Sequence, residues 1–280
     1  MMNETVSEGI VTSHSERLAA VLASTGPVTI AVSGGVDSMT LACFAHRQLG
    51  SDVVRMVHAT SPAVPGDAAG RIRDLAHREG WHLDVVDAGE FADPEYRANP
   101  INRCFFCKSN LYRTLSAMSE GTVLSGTNCD DLGDYRPGLE AARNHNVRHP
   151  YVEAGIDKNA VRALAAAMGL AEYAALPSSP CLSSRVETGI PIEAKDLVLI
   201  DAVESWCREH LTPEVVRCRL RRLGMVIELD AETHARLTGS RRVDVMQDLR
   251  KQVDGLADVN IALADYQRGS AFVGDRNIVS

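Results

Sequence analysis

An apolar run, Val28-Thr29-Ile30-Ala31-Val32, leads straight into Ser33-Gly34-Gly35-Val36-Asp37-Ser38, and a helical spacing of apolar residues (Met39, Leu41, Ala42, Phe44, Ala45) starts at once. β-Branched residues favour a strand, and adjacent glycines allow a turn that other residues resist. The spacing behind them is that of a helix packed on a sheet. Strand, tight turn and helix in that order aim backbone N–H groups and the positive end of a helix dipole at one point, which makes an anion site. The common nucleotide loop of this kind sets a Lys before its Ser or Thr, to embrace a γ-phosphate. Here Asp37 holds that position, which argues against kinase-type and motor-type NTPase chemistry.

The other strand-like stretches lie at 52–59, 81–87 and 122–125, and helical patterns cover 15–24, 36–49, 67–80, 104–118 and 157–169. Alternating strands and helices with short links predict an α/β fold built on a doubly wound parallel sheet. Ligands of such sheets sit beyond the carboxyl ends of the strands. Ser33 to Ser38, Thr60-Ser61-Pro62 and Gly126-Thr127-Asn128 all fall there. The pattern changes to a Pro/Ser/Gly-rich connector at 177–191, and a smaller α+β unit lies beyond it: helix 192–209, strands 215–219 and 225–229, helices 231–237 and 241–253, and strand 258–263. The expected domains are therefore 1–188 and 189–280.

At 280 residues the chain can bury a sizeable core in one large or two modest domains. A formal net charge of −8 gives no general attraction to nucleic acid, and no apolar stretch is long enough to span a bilayer. The polar, acidic first fifteen residues carry no secretory signal pattern. Seven cysteines, without the spacing of a disulfide scaffold, suit reduced thiols in the cytoplasm.

Particular cysteines then invite chemistry. Cys104-Phe105-Phe106-Cys107 opens a helix and suits a redox dithiol, half of a zinc site or part of an iron–sulfur ligand set. Cys181 lies in a proline-stiffened loop, Pro177-Ser178-Ser179-Pro180-Cys181-Leu182-Ser183-Ser184-Arg185, where Arg185 can favour the nucleophilic thiolate. Cys43 and Cys207 fall on the inner faces of helices, and Cys218 points away from its strand neighbours. His145 and His149, four apart, read as a loop pair with no metal role. Asp130 and Asp131, at the end of the fourth strand, are natural Mg²⁺ ligands near a polyphosphate or else solvated acids. Arg217, Arg219 and Arg221 share one face of a strand by its period of two. They converge on a phosphate or carboxylate, or pair with surface acids.

Ser33-Gly34-Gly35-Val36-Asp37-Ser38 resembles the PP-loop of ATP pyrophosphatases, of adenine nucleotide alpha hydrolase-like fold, which hold leaving pyrophosphate while AMP passes to an acceptor. With Ala59-Thr60-Ser61-Pro62, Asn99 to Lys108, Gly126 to Gly138, Pro180 to Arg185, Arg217-Cys218-Arg219 and Tyr266 to Ser270, the chain is similar to the LarE family of ATP-dependent sacrificial sulfur transferases. The resemblance implies that a carboxylate of a pyridinium biscarboxylate mononucleotide is adenylylated and then converted to a thiocarboxylate, in nickel-pincer cofactor synthesis. It implies ATP at Ser33, Gly34, Gly35, Val36, Asp37, Ser38, Thr60, Gly126, Thr127 and Asp131, Mg²⁺ at Asp131, and the substrate phosphate at Arg217 and Arg219. Cys181 matches the sulfur donor. Cys104, Cys107 and Cys181 match the members thought to ligate a 4Fe–4S cluster whose extra sulfide is the donor. The resemblance makes the C-terminal domain a substrate-binding and oligomerising one, with a hexamer expected and neither nucleic acid nor membrane as partner. Leu220-Arg221-Arg222 stands where relatives tend to show His-Gly, and Val226 where an arginine is common. The rival reading is a PP-loop tRNA thiolase with a 4Fe–4S cluster, which would need a basic RNA surface.

Overall fold

The structure, a computed structural model, describes residues 2–133, 137–253 and 260–273, with side chains from residue 11 onward. Asp134 and Arg136, close behind the fourth strand, and the first residues of the expected last strand lie outside the described residues. In chain order come α1 (Met2–Ala23), β1 (Val28–Ala31), α2 (Val36–Leu49), β2 (Val54–Ala59), α3 (Gly66–Glu79) and β3 (Leu83–Val86). Next are α4 (Pro94–Arg97), α5 (Arg103–Met118), β4 (Thr122–Leu124), α6 (Pro137–Asn144), α7 (Pro150–Glu153), α8 (Lys158–Ala167) and α9 (Ala171–Ala174). The rest is α10 (Ala194–Leu211), β5 (Val216–Arg221), β6 (Gly224–Leu229), α11 (Ala231–Arg236), α12 (Gly239–Gln252) and β7 (Ile261–Asp265).

The chain divides into two compact units. One comprises Met1–Ser61, Gly66–Glu90 and Cys104–Ser179; the other comprises Pro62–Pro65, Phe91–Arg103 and Pro180–Ser280. The second unit thus begins at Pro180 and also takes two earlier excursions of the chain. A shift in composition along the sequence does not mark them, because both are turn-rich pieces between ordinary elements.

In the first unit four parallel strands lie in the order β3-β2-β1-β4, the doubly wound arrangement. Alternation along each strand feeds two cores. Met56 of β2 and Leu124 of β4 join Leu18, Leu22, Ile30, Met39, Leu41, Val161 and Leu164 on one side. Their neighbours Val57 and Val123 join Tyr112, Leu115, Ala141 and Ala142 on the other. A strand buried on both faces favours apolar residues, and β1 has one polar exception, Thr29, whose hydroxyl bonds Ser119 Oγ at 2.9 Å.

In the second unit β5 and β6 form an antiparallel pair and β7 adds in parallel to β6. Helix α10 lays Leu197, Ile200, Val203, Cys207 and Leu211 inward, a helical stripe worth roughly 1.5–3 kcal/mol for each large side chain removed from water. Glu204 lies on the same buried stripe.

Candidate functional site

The loop behind β1 is built as its glycines demand. Gly34 has φ +78°, and a Cβ there would stand 3.0 Å from the Cβ of Ala68. Gly35 caps α2 in extended conformation and accepts the amide of Met39 at 3.1 Å. Ser38 folds back: its Oγ accepts the Ser33 N–H at 3.1 Å, donates to the Gly35 carbonyl at 3.2 Å and lies 3.1 Å from Ser33 Oγ. The hydroxyls thus brace the turn from inside, and Val36 anchors it in the core. Gly126, at the end of β4, packs on the first turn of α2 so closely that a Cβ would meet Ser38 N at 2.8 Å and Asp37 C at 2.9 Å. Thr127 comes next, with its Oγ1 3.1 Å from Ser125 Oγ, and Thr60 is exposed just after β2, its amide on the Val86 carbonyl at 2.8 Å. Ser33 to Ser38, Thr60 and Gly126 with Thr127 thus follow the carboxyl ends of β1, β2 and β4, and of these Gly126 packs directly on the first turn behind the loop.

Two residues that spacing does not reveal complete this end of the sheet. Lys158, the first residue of α8, brings Nζ to 2.5 Å from Asp37 Oδ2. Tyr151 donates its OH to the Asp37 carbonyl at 3.1 Å, and Asn128 Nδ2 donates to Asp37 Oδ1 at 3.1 Å. Asp131 turns back on its own loop, Oδ2 accepting the Asn128 N–H at 3.1 Å, and Asp130 accepts the Lys158 amide at 3.2 Å. His149 is half-buried against Ser125, Nδ1 to Oγ 2.8 Å, and burial pushes its pKa down. It is a packed side chain in place of the solvated one that the loop composition suggested. The one sequence signal for Lys158 was Asp157, which caps α8 by accepting the Ala160 N–H at 2.8 Å and so marks where the helix starts.

In the second unit Cys181 is exposed at the head of a short 3₁₀ turn, Leu182–Arg185. Arg185 is buried beneath it. Nε and Nη2 grip Glu204 at 2.8 and 2.9 Å, while Nη1 reaches the carbonyls of Pro180 at 2.6 Å and Cys181 at 3.1 Å. Glu204 balances the charge, so the guanidinium fixes the shape of the thiol's loop. Arg185 also interacts electrostatically with Cys181, as sequence suggested, but sequence cannot see the glutamate that comes from α10. Tyr96 OH meets Ser183 Oγ at 2.6 Å, and Asn99, at φ +53°, donates to the carbonyls of Glu187 and Ile190, both at 2.9 Å.

Arg219 is 3% exposed, with Nε on Glu228 at 3.0 Å and Nη1 and Nη2 on the carbonyls of Ser184 and Gln267 at 3.1 and 3.3 Å. Arg221 meets the other Glu228 oxygen at 3.1 Å. The shared strand face is present, and Glu228 stands at its centre. Arg217 donates to the Val216 carbonyl at 2.7 Å and lies over the Tyr266 ring, 5.8 Å from its centroid. Burial, with Arg185 and Arg219 nearby, pushes its pKa down.

Cys104 and Cys107 occupy the first two turns of α5, three residues apart and hence on one side of the helix, both half-buried. None of the seven cysteines forms a disulfide. Among the described residues no three His, Cys, Asp or Glu side chains are gathered to hold a metal ion, and no helix is long and apolar enough to cross a membrane. Cys43 and Cys207 are buried, with pKa values pushed by burial to about 12, and burial pushes Cys218 well up as well.

No family model matches the chain. It is 38% identical over 207 residues to an uncharacterized protein of Synechocystis, covering 72% of this chain and 76% of that one. An uncharacterized protein of Methanocaldococcus jannaschii is 26% identical over 209 residues, 72% and 77% of the two chains. The pyridinium-3,5-bisthiocarboxylic acid mononucleotide synthase of Lactiplantibacillus plantarum is 30% identical over 202 residues, 71% of this chain and 73% of the synthase. That likeness, on a parallel α/β sheet with a braced glycine turn behind β1, shows the chain to be a member of the LarE family.

Proposed function

We propose that the protein is an ATP-dependent sulfur transferase that converts a carboxylate of a pyridinium biscarboxylate mononucleotide into a thiocarboxylate, a step of nickel-pincer cofactor synthesis. The observation that carries this reading is the 30% identity with the synthase along 73% of its length. The carboxylate oxygen attacks the α-phosphorus of ATP, pyrophosphate leaves at the loop Ser33 to Ser38, and an acyl-adenylate forms. A sulfur nucleophile then adds at the acyl carbon and AMP departs with the oxygen. Mg²⁺, bound through Asp131, would balance polyphosphate charge. Arg217 would hold the substrate phosphate, and Arg219, expected from sequence to share that task, is buried on Glu228 and instead fixes the strand behind it. The lowered pKa of Arg217 supports this, because an anion relieves a guanidinium pressed by burial and by like charges.

Cys181, exposed on a loop pinned from below, is the point of sulfur delivery. If the sulfur is its own, C–S cleavage after transfer leaves dehydroalanine and the chain is spent. The three thiols Cys104, Cys107 and Cys181 fit the ligand chemistry of a 4Fe–4S cluster, which when bound leaves one iron open to carry an added sulfide. Reduced thiols of this kind suit the cytoplasm, and the family resemblance adds to the proposal a homo-oligomer with a small-molecule substrate.

The test is turnover with ATP, Mg²⁺ and the biscarboxylate mononucleotide, following AMP, pyrophosphate and thiocarboxylate, with intact mass afterwards. Loss of H₂S from Cys181 means sacrifice; an unchanged mass with repeated turnover means external sulfur. ATP left uncleaved with the carboxylate present would overturn the reading.

A further inference from the structure

A polyphosphate offers acceptors only, so a hydroxyl that faces one must turn its proton outward. A hydroxyl has a single proton, and a threonine that spends it inward has none to give. Thr127 faces that choice. Its Oγ1 lies 3.1 Å from Ser125 Oγ, so one of the two donates to the other. Ser125 Oγ in turn lies 2.8 Å from His149 Nδ1, where again one donates. The direction of this short chain is set at its inner end, by the imidazole.

The backbone puts that ring in place. Arg148 pairs with Leu124 of β4, its amide on the Val123 carbonyl at 2.9 Å and its carbonyl accepting the Ser125 amide at 3.1 Å. His149 comes next and caps α7, whose Glu153 amide returns to the His149 carbonyl at 3.0 Å. Ser125 is 7% exposed, so its hydroxyl depends on protein partners. Burial favours a neutral imidazole, against the opposing pull of Glu153 and Asp131, and a neutral ring has one N–H to place on one of two nitrogens.

We propose that His149 is a positioning residue for the nucleotide: Nδ1–H donates to Ser125, Ser125 donates to Thr127, and the Thr127 proton turns outward to a phosphate oxygen of bound ATP. The reverse order, with Ser125 donating to a bare Nδ1, would spend the Thr127 proton on Ser125 and set lone pairs against the phosphate. This inference rests on the reading above that Thr127 borders the ATP site. His149 acts on the ligand only through Ser125.

Calorimetric titration of the full chain with Mg²⁺-ATP at constant pH and ionic strength tests it. His149→Phe keeps a ring and removes both nitrogens, whereas His149→Asn sets an amide N–H near the position of Nδ1. His149→Phe is expected to weaken ATP binding about three- to tenfold, the weight of one hydrogen bond, and His149→Asn to recover most of that loss. Ser125→Ala is expected to lose as much as His149→Phe. The double variant Ser125→Ala/His149→Phe should lose no more than either alone, because both break one chain. A ring that merely packs gives the opposite order: affinity kept by His149→Phe and lost by His149→Asn overturns the proposal. Losses that simply add in the double variant overturn it too. A wild type that binds no ATP overturns the nucleotide reading itself, and this inference with it. Should His149→Phe not fold, His149→Leu carries the same expectations.

Discussion

Arg185 holds Glu204 through two N–H···O bonds of 2.8 and 2.9 Å, with the two side chains 2% and 1% exposed. The pair joins the thiol's loop to α10, and the same carboxylate accepts the Cys218 amide at 2.9 Å. Removing one member of such a pair strands a buried charge. Glu204→Gln or Arg185→Met is therefore expected to cost about 3–5 kcal/mol in urea unfolding, and the double change Arg185→Met/Glu204→Leu distinctly less than the sum. Single variants within about 1 kcal/mol of wild type would refute the assignment.

Gly126→Ala is expected to push the first turn of α2 aside, because its Cβ would stand 2.8 Å from Ser38 N. A stability loss of about 1–3 kcal/mol should accompany weaker ATP binding, both read on the same preparation. Gly70 lies within α3 with open space where a Cβ would be, so Gly70→Ala should instead stabilise by about 0.5–1 kcal/mol.

Thiol labelling should track exposure. With iodoacetamide at mildly alkaline pH, peptide mapping should find Cys181 modified first. Cys43, Cys207 and Cys218, buried and with raised pKa values, should stay unmodified until the chain is unfolded. Early labelling of Cys43 would contradict its place on the buried face of α2.

Burial pushes the His58 imidazole below its usual pKa, against the opposing effect of the Nδ1–H bond to the Val32 carbonyl at 3.0 Å, and burial lowers His149 likewise. Above about pH 6.5 neither the folded nor the unfolded chain protonates these rings. Below it the unfolded chain gains protons that the folded interior refuses, so stability should fall as pH drops, until the folded pKa values are passed. Urea midpoints from about pH 8 to about pH 5.5 should show the fall, and His58→Asn should reduce its slope. A midpoint that rises with acid would count against both assignments.

The glycine turn and the parallel sheet were legible in the sequence because each rests on neighbouring residues: Gly34 and Gly35 for the turn, and short apolar runs alternating with helical patterns for the sheet. Lys158 was not legible, since an exposed first position of a helix accepts almost any polar residue and its target lies far back along the chain. Nor was the work of Arg185. Its nearest neighbours in sequence are the thiol and serines, whereas its carboxylate partner comes from α10, nineteen residues on. Arg219 and Arg221 were placed on one face by period, but Glu228 between them comes from the next strand. Short-range signals carried the backbone, and long-range charge pairing stayed hidden.

The interleaving of the two units bears on how the gene can be cut. The polypeptide passes from one unit to the other five times. Within the second unit, Phe91–Arg103 is stitched to the chain beyond Pro180 by Tyr96 on Ser183, Asn99 on Glu187 and Ile190, and the Ile192 amide on Arg97. Ala63 likewise accepts the Leu182 amide at 2.8 Å. A fragment ending near residue 179 would keep these strips and lose everything they bind, and one starting there would lack its own walls. Neither half is expected to fold as a self-sufficient module, because the walls of the cysteine loop are encoded among the segments of the unit that carries the glycine turn.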